Sequence, residues 1–488
     1  MLPVPNKPST TRRDPIAILG VPFDNITTAE TLAIIGQMIA SSQPHYAATA
    51  NVDFVVQALE DGELRRILFD AHLVLADGQP LVWASRFLGN PLPERVTGSG
   101  MIPQLLALAE QNDWKVFFLG GTEKSVATAA EKTRGKHPQL QLVGAYSPPF
   151  KPLLEMDHED ILRRIRKAKP DILLVAFGCP KQEKWISMNY RVAGVPFCVG
   201  VGATIDFLAG TFKRAPVWMQ RTGTEWIFRM LQEPQRLVKR YGKDFRVYSR
   251  AILQQWWQMR SRKKNIATRA KTAATSDLPG IFIVKIPAHL TAVEVRQNRD
   301  EWSRAIEQGG LVFDLSETEV ADSTGLGLLI RLQKRARELG RGFVLAAPRP
   351  PVMAVLQMMK LEDFFAIETC LPAARYRVKS ETHRAEVAEC SQHGDLAVYW
   401  RGEVTAANVA ELAEQTEWEL NPVPPGARAG IDLTSVTFVD SSGVGLMVRL
   451  KKNLWRRNVA LTFHNPNKTV REVLRMIKLE AYLLEARG

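Results

Sequence analysis

The sequence predicts an α/β chain: an open parallel sheet covered by helices on both faces, then two smaller α/β units. Three observations predict it. In the first half, short apolar runs ending in glycine or aspartate alternate with stretches of helical spacing. The side chains fit for chemistry fall just after those runs. The second half repeats itself at one fixed offset. Strands alternating with helices make right-handed crossovers in a parallel sheet, and such a sheet binds ligands at the carboxyl ends of its strands. The expected first domain is therefore Rossmann-like.

In chain order, "IAILGVPFDN" reads as a strand entering a turn, and Thr27 to Ala40 has helical spacing behind a threonine cap. "HYAATANVDF" places Thr49 and Asn51 at a second strand end, and Val52 to Leu68 reads as one helix. Leu73 to Ala76 then leads into Asp77-Gly78, a plain turn signal by itself. Arg95 follows in the Pro-led loop "LPERVTGSG", and a carboxylate with a guanidinium beside one crevice suits a base facing an anionic substrate. "KVFFLGG" before "TEKSVATAAEK" puts Gly120 and Gly121 in a turn onto a helix N-terminus, a geometry that can receive phosphate oxygens. "DILLVAFG" ends at "CPKQEKW", which places Lys181 and Gln182 on the next loop. "PFCVGVGATIDF" supplies Asp206, but it has Ile205 where a third dinucleotide-binding glycine belongs, which disfavours a nicotinamide enzyme.

The repeat aligns Asp314 with Asp432, Asp322 with Asp440 and Lys360 with Lys478 without a gap, so one domain occurs twice. In each copy Asp-Ser-(Ser/Thr)-Gly opens an apolar helix. Such a pattern caps free amides, and a phosphoserine there would gain from the helix dipole.

Composition is ordinary for a globular protein, with 45% hydrophobic and 24% charged residues. Cys179, Cys198, Cys370 and Cys390 lack metal-ligand spacing, which suits a reducing compartment, and neither a metal nor another cofactor is expected. No signal peptide or membrane span is expected either. Net charge is +13, and its excess is local: between Lys213 and Lys264 fourteen basic residues face only Glu225, Glu233 and Asp244. Trp226, Phe228, Tyr241, Phe245, Tyr248, Trp256 and Trp257 interleave them, a mixture that an anionic bilayer surface attracts. A solvated helix packing its aromatics inward is the competing reading, and nucleic acid is disfavoured because no binding motif accompanies the charge.

"TANVD", "ADGQPLVWASRFLGNPLPERVTGSG", "FFLGG", "FGCPKQEKW" and "GVGATIDFLAGTFKRAPVWMQRTGTEWIFRMLQEPQR" resemble the WecG/TagA/CpsF family of bacterial glycosyltransferases, from about Ile16 to Tyr241. The resemblance implies metal-free, inverting transfer of a hexose (N-acetylmannosamine, its uronic acid or glucose) from a UDP donor to a polyprenyl-diphosphate-linked sugar. It implies Asp77 as general base, with Thr49, Asn51, Arg95 and Gln182 lining the pocket. A basic appendage carrying Arg229 and Arg236 would close the site and touch the membrane from the cytoplasmic side. Both repeats resemble STAS domains, which implies Ser323 and Ser441 as candidate phosphorylation sites and a regulatory protein or kinase as partner.

The expected boundaries are 15–250 for the transferase, 251–279 for a linker, 280–378 for the first STAS domain and 383–488 for the second. A non-catalytic sensor of nucleotide sugars, signalling through the STAS pair, is the alternative reading.

Overall fold

The computed structural model describes residues 13–211, 215–216, 219, 224–232, 234–260, 274–278, 280–380, 386–391 and 396–485. The chain opens with a hairpin, β1 (Ile16–Ile18) and β2 (Val21–Phe23), turned by Leu19 and Gly20, both at positive φ. Two such residues in succession match the twist of a tight antiparallel hairpin, so the opening strand stands apart from the main sheet. Thr27 caps α1 (Thr28–Ala40) through a reciprocal box with Glu30.

There follow β3 (His45–Ala50), α2 (Val52–Glu60), α3 (Gly62–Asp70), β4 (Leu73–Ala76), α4 (Gln79–Phe87), α5 (Gly98–Gln111), β5 (Val116–Gly120), α6 (Glu123–Lys136), β6 (Leu142–Tyr146), α7 (His158–Ala168), β7 (Ile172–Ala176), α8 (Lys181–Ala193), β8 (Phe197–Gly200) and α9 (Thr204–Ala209). The six strands β3 to β8 lie in the order β4-β3-β8-β7-β5-β6, all parallel. Apart from edge strand β6, their apolar side chains are almost all buried, on both faces, as a helix-covered parallel sheet requires. The helix expected over Val52 to Leu68 is two, because Asp61 ends α2 in extended backbone and its carboxylate caps Leu64 N at the start of α3.

Two helices extend the domain: α10 (Glu225–Gln232) and α11 (Pro234–Arg260). The linker expected to begin at 251 therefore begins later. Residues 251–260 continue α11, burying Ile252, Gln255 and Met259, and residues 274–278 form an edge strand rather than linker. Small polar residues disguise that strand, since a sheet edge needs backbone pairing more than apolar side chains. Residues 261–273 lie outside the described residues.

The first repeat comprises β9 (Ala274–Leu278), β10 (Ile281–Lys285), β11 (His289–Leu290), α12 (Ala292–Gln308), β12 (Gly310–Asp314), β13 (Val320–Ala321), α13 (Ser323–Glu338), β14 (Phe343–Ala346), α14 (Pro350–Met358), β15 (Ala366–Glu368) and α15 (Leu371–Ser380). The second comprises β16 (Glu386–Ser391), β17 (Leu396–Val404), α16 (Val409–Leu420), β18 (Arg428–Val439), α17 (Ser441–Arg456), β19 (Ala460–His464), α18 (Lys468–Met476) and α19 (Glu480–Leu484). The duplication extends to the backbone. Asp322 and Asp440 cap their helices at φ −97 and −97, and Lys360 and Lys478 are both left-handed, at φ 55 and 59.

All three units meet at Arg66. Its guanidinium lies 2.8 Å from Asp70 and 2.5 Å from Glu403 of the second repeat, above Phe364 and Phe438. Arg337 of the first repeat pairs with the same two carboxylates at 3.6 and 3.3 Å. Removing one member of a buried ionic cluster leaves the others uncompensated, commonly at a cost of about 3 kcal/mol. Glu403→Ala removes the carboxylate that Arg66 and Arg337 share with Asp70, so the second repeat is expected to detach and melt earlier than the rest. Scanning calorimetry showing one unshifted transition would refute that coupling.

Candidate active site

The carboxyl ends of β3, β4, β7 and β8 converge on one corner of the sheet. Asp77 leaves β4 with its amide bonded to Ala50 O at 2.9 Å, and its carboxylate accepts a hydrogen bond from Gly98 N at 3.1 Å. Gly98 lies against two side chains: a Cβ there would make ordinary contact, at 3.6 Å, with the hydroxyls of both Thr49 and Thr204. Asp77, Thr49, Gly98 and Thr204 thus form one cluster, with the Asp77 side chain half-buried. Thr49 Oγ1 donates to Gly200 O at 3.1 Å, joining β3 to the β8 loop.

Asn51 caps α2, its Oδ1 accepting from Phe54 N at 3.2 Å, and its Cβ packs 3.9 Å from the Cβ position of Gly78, beside Asp77. Arg95 is mostly buried and paired with Glu225 at 3.3 Å, so the first residue of α10 is tied to the candidate cationic clamp. Asp206 lies half-buried in the first turn of α9, just beyond Thr204. The side chains of Arg229 and Arg236 lie outside the described residues.

Gln182 is buried and engaged within the protein. Its Oε1 accepts from Gly178 N and Gly202 N, both at 3.2 Å, and its Nε2 donates to Glu183 Oε1 at 2.7 Å. It therefore holds the β7 and β8 loops together instead of presenting an open amide. Lys181 donates to Lys151 O at 2.5 Å and lies over the Phe150 and Phe177 rings, and burial lowers its pKa.

The expected phosphate seat at Gly120 and Gly121 is the turn from β5 onto α6. Both glycines take positive φ, and a Cβ on Gly120 would lie 2.6 Å from Ala176 O, so the turn itself demands glycine. Three of its amides are paired within the protein: Gly121 N with Ala176 O, Thr122 N with Ser125 Oγ and Ser125 N with Thr122 Oγ1.

Glu183 escaped the sequence reading. It is fully buried, and one carboxylate oxygen has no hydrogen-bond partner among the described residues. Burial pushes its pKa up to about 7, against the hydrogen bond from Gln182. Only its place inside "PKQEKW" hinted at it, and burial cannot be read there.

A family model described as the glycosyl transferase WecG/TagA/CpsF family matches residues 16–262. The chain belongs to that family. Models of a STAS domain and of a Mlab, STAS domain match residues 273–374 and 389–485. Among similar proteins, the N-acetylglucosaminyldiphosphoundecaprenol N-acetyl-beta-D-mannosaminyltransferase of Staphylococcus aureus strain MW2 is 30% identical over 224 residues, covering 46% of this chain and 86% of its own length. Its counterpart from strain NCTC 8325 / PS 47 gives the same figures. An anti-sigma-factor antagonist (STAS) domain protein from Planctomyces limnophilus is 23% identical, covering 22% of this chain and 99% of its own, with a TM-score of 0.21. Unphosphorylated SpoIIAA, an anti-sigma factor antagonist, is 21% identical, covering 23% of this chain and 98% of its own, also with a TM-score of 0.21. The N-terminal domain of this family member is thus a glycosyltransferase, and two STAS domains follow it.

Glu183 gives a pH dependence with a definite sign. Its folded pKa lies above the ordinary carboxylate value, so the stability gained by keeping it protonated is present below pH 4 to 5 and lost as pH rises through about 7. Glu183→Gln cannot ionise, so it is expected to match the wild type at pH 5 and to exceed its stability by about 3 kcal/mol at pH 8. Melting temperatures for both proteins across that range check it, and parallel curves would show that Glu183 does not bury a proton.

Proposed function

We propose that the N-terminal domain transfers a hexose of the N-acetylmannosamine, N-acetylmannosaminuronic acid or glucose type from a UDP donor to a polyprenyl-diphosphate-linked sugar in polysaccharide assembly. The observation that carries this is the half-buried Asp77 carboxylate at the β4 end, oriented by Gly98 N and flanked by Thr49 and Thr204. The names of the Staphylococcus aureus relatives, which specify an N-acetylmannosaminyl transfer to a diphosphoundecaprenol-linked sugar, support the substrate class.

In the reaction, Asp77 takes the proton of the acceptor hydroxyl as that oxygen bonds to the anomeric carbon. The bond from that carbon to the UDP oxygen breaks on the opposite face, the electron pair leaves with UDP, and configuration inverts. The transferase sequence has no DxD pair for a divalent ion, so leaving-group charge falls to preorganised positive groups, with Arg95 foremost because its fork can grip phosphate oxygens in pairs. Thr49, Asn51 and Asp206 would contact substrate around Asp77, Gln182 would frame their loops, and Arg229 and Arg236 on the appendage would close over the diphosphate.

An anionic bilayer at the cytoplasmic face is the proposed surface of action. Lys243, Phe245, Arg246, Arg250, Leu253 and Trp257 are exposed on α11, and Trp83 and Phe87 on α4 immediately beyond Asp77. Basic stems and interfacial rings of this kind favour such a surface. No helix among the described residues is long and apolar enough to cross a membrane.

Asp77→Asn keeps the shape of the side chain but removes its capacity to take a proton, so turnover is expected to fall by about a hundredfold or more with the melting temperature nearly unchanged. UDP release from a panel of UDP-sugars, with diphosphate-linked acceptors in vesicles, measures it. Near wild-type release by Asp77→Asn would remove that residue from the chemistry. UDP-sugar binding without release by the wild type would favour the sensor reading.

A further inference from the structure

Both STAS domains turn the same feature toward the transferase. In each, the serine that opens the long helix is buried, and a transferase side chain covers it. The covers differ in kind. Ser441 N donates to the Glu63 carboxylate, whose other oxygen lies 2.8 Å from Lys184 Nζ. Ser323 Oγ instead points at Met259 Sδ, 3.7 Å away on the last turn of α11.

Two routes lead from the first of these corners to the active site. The Asn90 side chain, in the loop that runs from α4 to Arg95, stands close enough to the Asp322 carboxylate to hold its pKa down against burial. Along α11, Gln255 is fully buried, donating to Ala17 O at 3.1 Å and accepting from Leu19 N at 3.0 Å. Further along, Tyr248 OH donates to Pro80 O at 3.2 Å, three residues beyond Asp77. Tyr248 to Met259 spans about 16 Å of helix. The packing behind this corner is close: a Cβ on Gly327, one turn into α13, would lie 1.9 Å from Pro15 O.

We propose that the first STAS domain is a positioning element of the transferase, its Asp322–Ser323 corner clamping α11 and the Asn90 loop so that the appendage and Arg95 stay seated around Asp77. This rests on the catalytic reading of Asp77. Among the described residues, a charge on Ser323 would meet a thioether and the neighbouring Asp322 carboxylate, surroundings in which a buried charge is costly. It gains water only by lifting α11 or the Asn90 loop. At Ser441 the transferase already presents a carboxylate with its own lysine, on α3 rather than α11, so the second corner has no such lever to Tyr248.

The test uses the full chain, with hydrogen exchange and UDP release measured side by side. Ser323→Asp is expected to speed amide exchange in 248–259 and in 88–95 by about tenfold or more, and to lower kcat/KM by a similar factor. Ser323→Ala is expected to leave both within about twofold. Met259→Ala, which withdraws the contact from the transferase side without adding charge, is expected to speed exchange in the same segments, and it decides the matter alone if Ser323→Asp unfolds its own domain. Unchanged exchange in those segments overturns the clamp, and faster exchange with unchanged kcat/KM overturns its link to catalysis. Because exchange is read without turnover, a failed role for Asp77 would stay distinguishable from a failed clamp.

Discussion

The hydrogen bond from Gly98 N to the Asp77 carboxylate is the interaction around which the transferase domain is arranged. It can form only if the loop between α4 and α5 returns to the end of β4, which Val96 ensures by bonding back to Ala76 O at 3.1 Å. That return also carries Arg95 to the same edge and leaves room for two threonine hydroxyls against Gly98. A Cβ at residue 98 would meet both hydroxyls at 3.6 Å, an ordinary contact, while leaving the amide in place.

Charge, more than apolar area, specifies how the STAS domains are placed. Lys334 donates to Ala71 O, Arg65 to Lys360 O at 2.9 Å, and Arg331 and Arg299 converge on Asp14 at 2.5 and 3.5 Å. Apolar contacts such as Phe69 on Phe364, with ring centroids 4.3 Å apart, contribute area but tolerate sliding. A buried guanidinium tolerates much less, because any shift strands it from its carboxylates. Arg66 between Asp70 and Glu403 therefore selects one arrangement of three domains from the many that would bury similar surface.

Much of this was legible in the sequence, because strand ends and repeats are local signals. The run Leu73 to Ala76 followed by Asp-Gly marks a strand edge, and the 118-residue offset between Asp322 and Asp440 needs no tertiary knowledge. What stayed hidden depends on partners distant in the chain. Glu225 looks like a stray acid in a basic segment until Arg95 is seen beside it. Glu183 looks like a surface residue until helix packing buries it, and Gln182 reads as a ligand contact although its amide closes on two glycine loops. Edge strands β9 and β16 were missed for a simpler reason: "ATSDL" and "EVAECS" earn their place by pairing with β10 and β17, and their side chains say little.

Duplication gave the STAS domains one geometry, and the transferase surface then made their environments unequal. Asp322 and Asp440 cap their helices with the same two acceptor bonds, at 2.9 and 2.9 Å in one and 2.8 and 3.0 Å in the other. Burial raises the pKa of both, but at Asp440 the Glu63 carboxylate adds to burial and pushes it up to about 7. A raised carboxyl pKa contributes stability while the group is protonated and loses it as pH climbs through the folded value. The second corner thus sets the Asp440 carboxyl beside a Glu63 carboxylate that pairs with Lys184, whereas the first sets a hydroxyl against a thioether on the helix that reaches Pro80. Identical caps can serve unlike ends, because a helix terminus responds to whatever charge its neighbour presents.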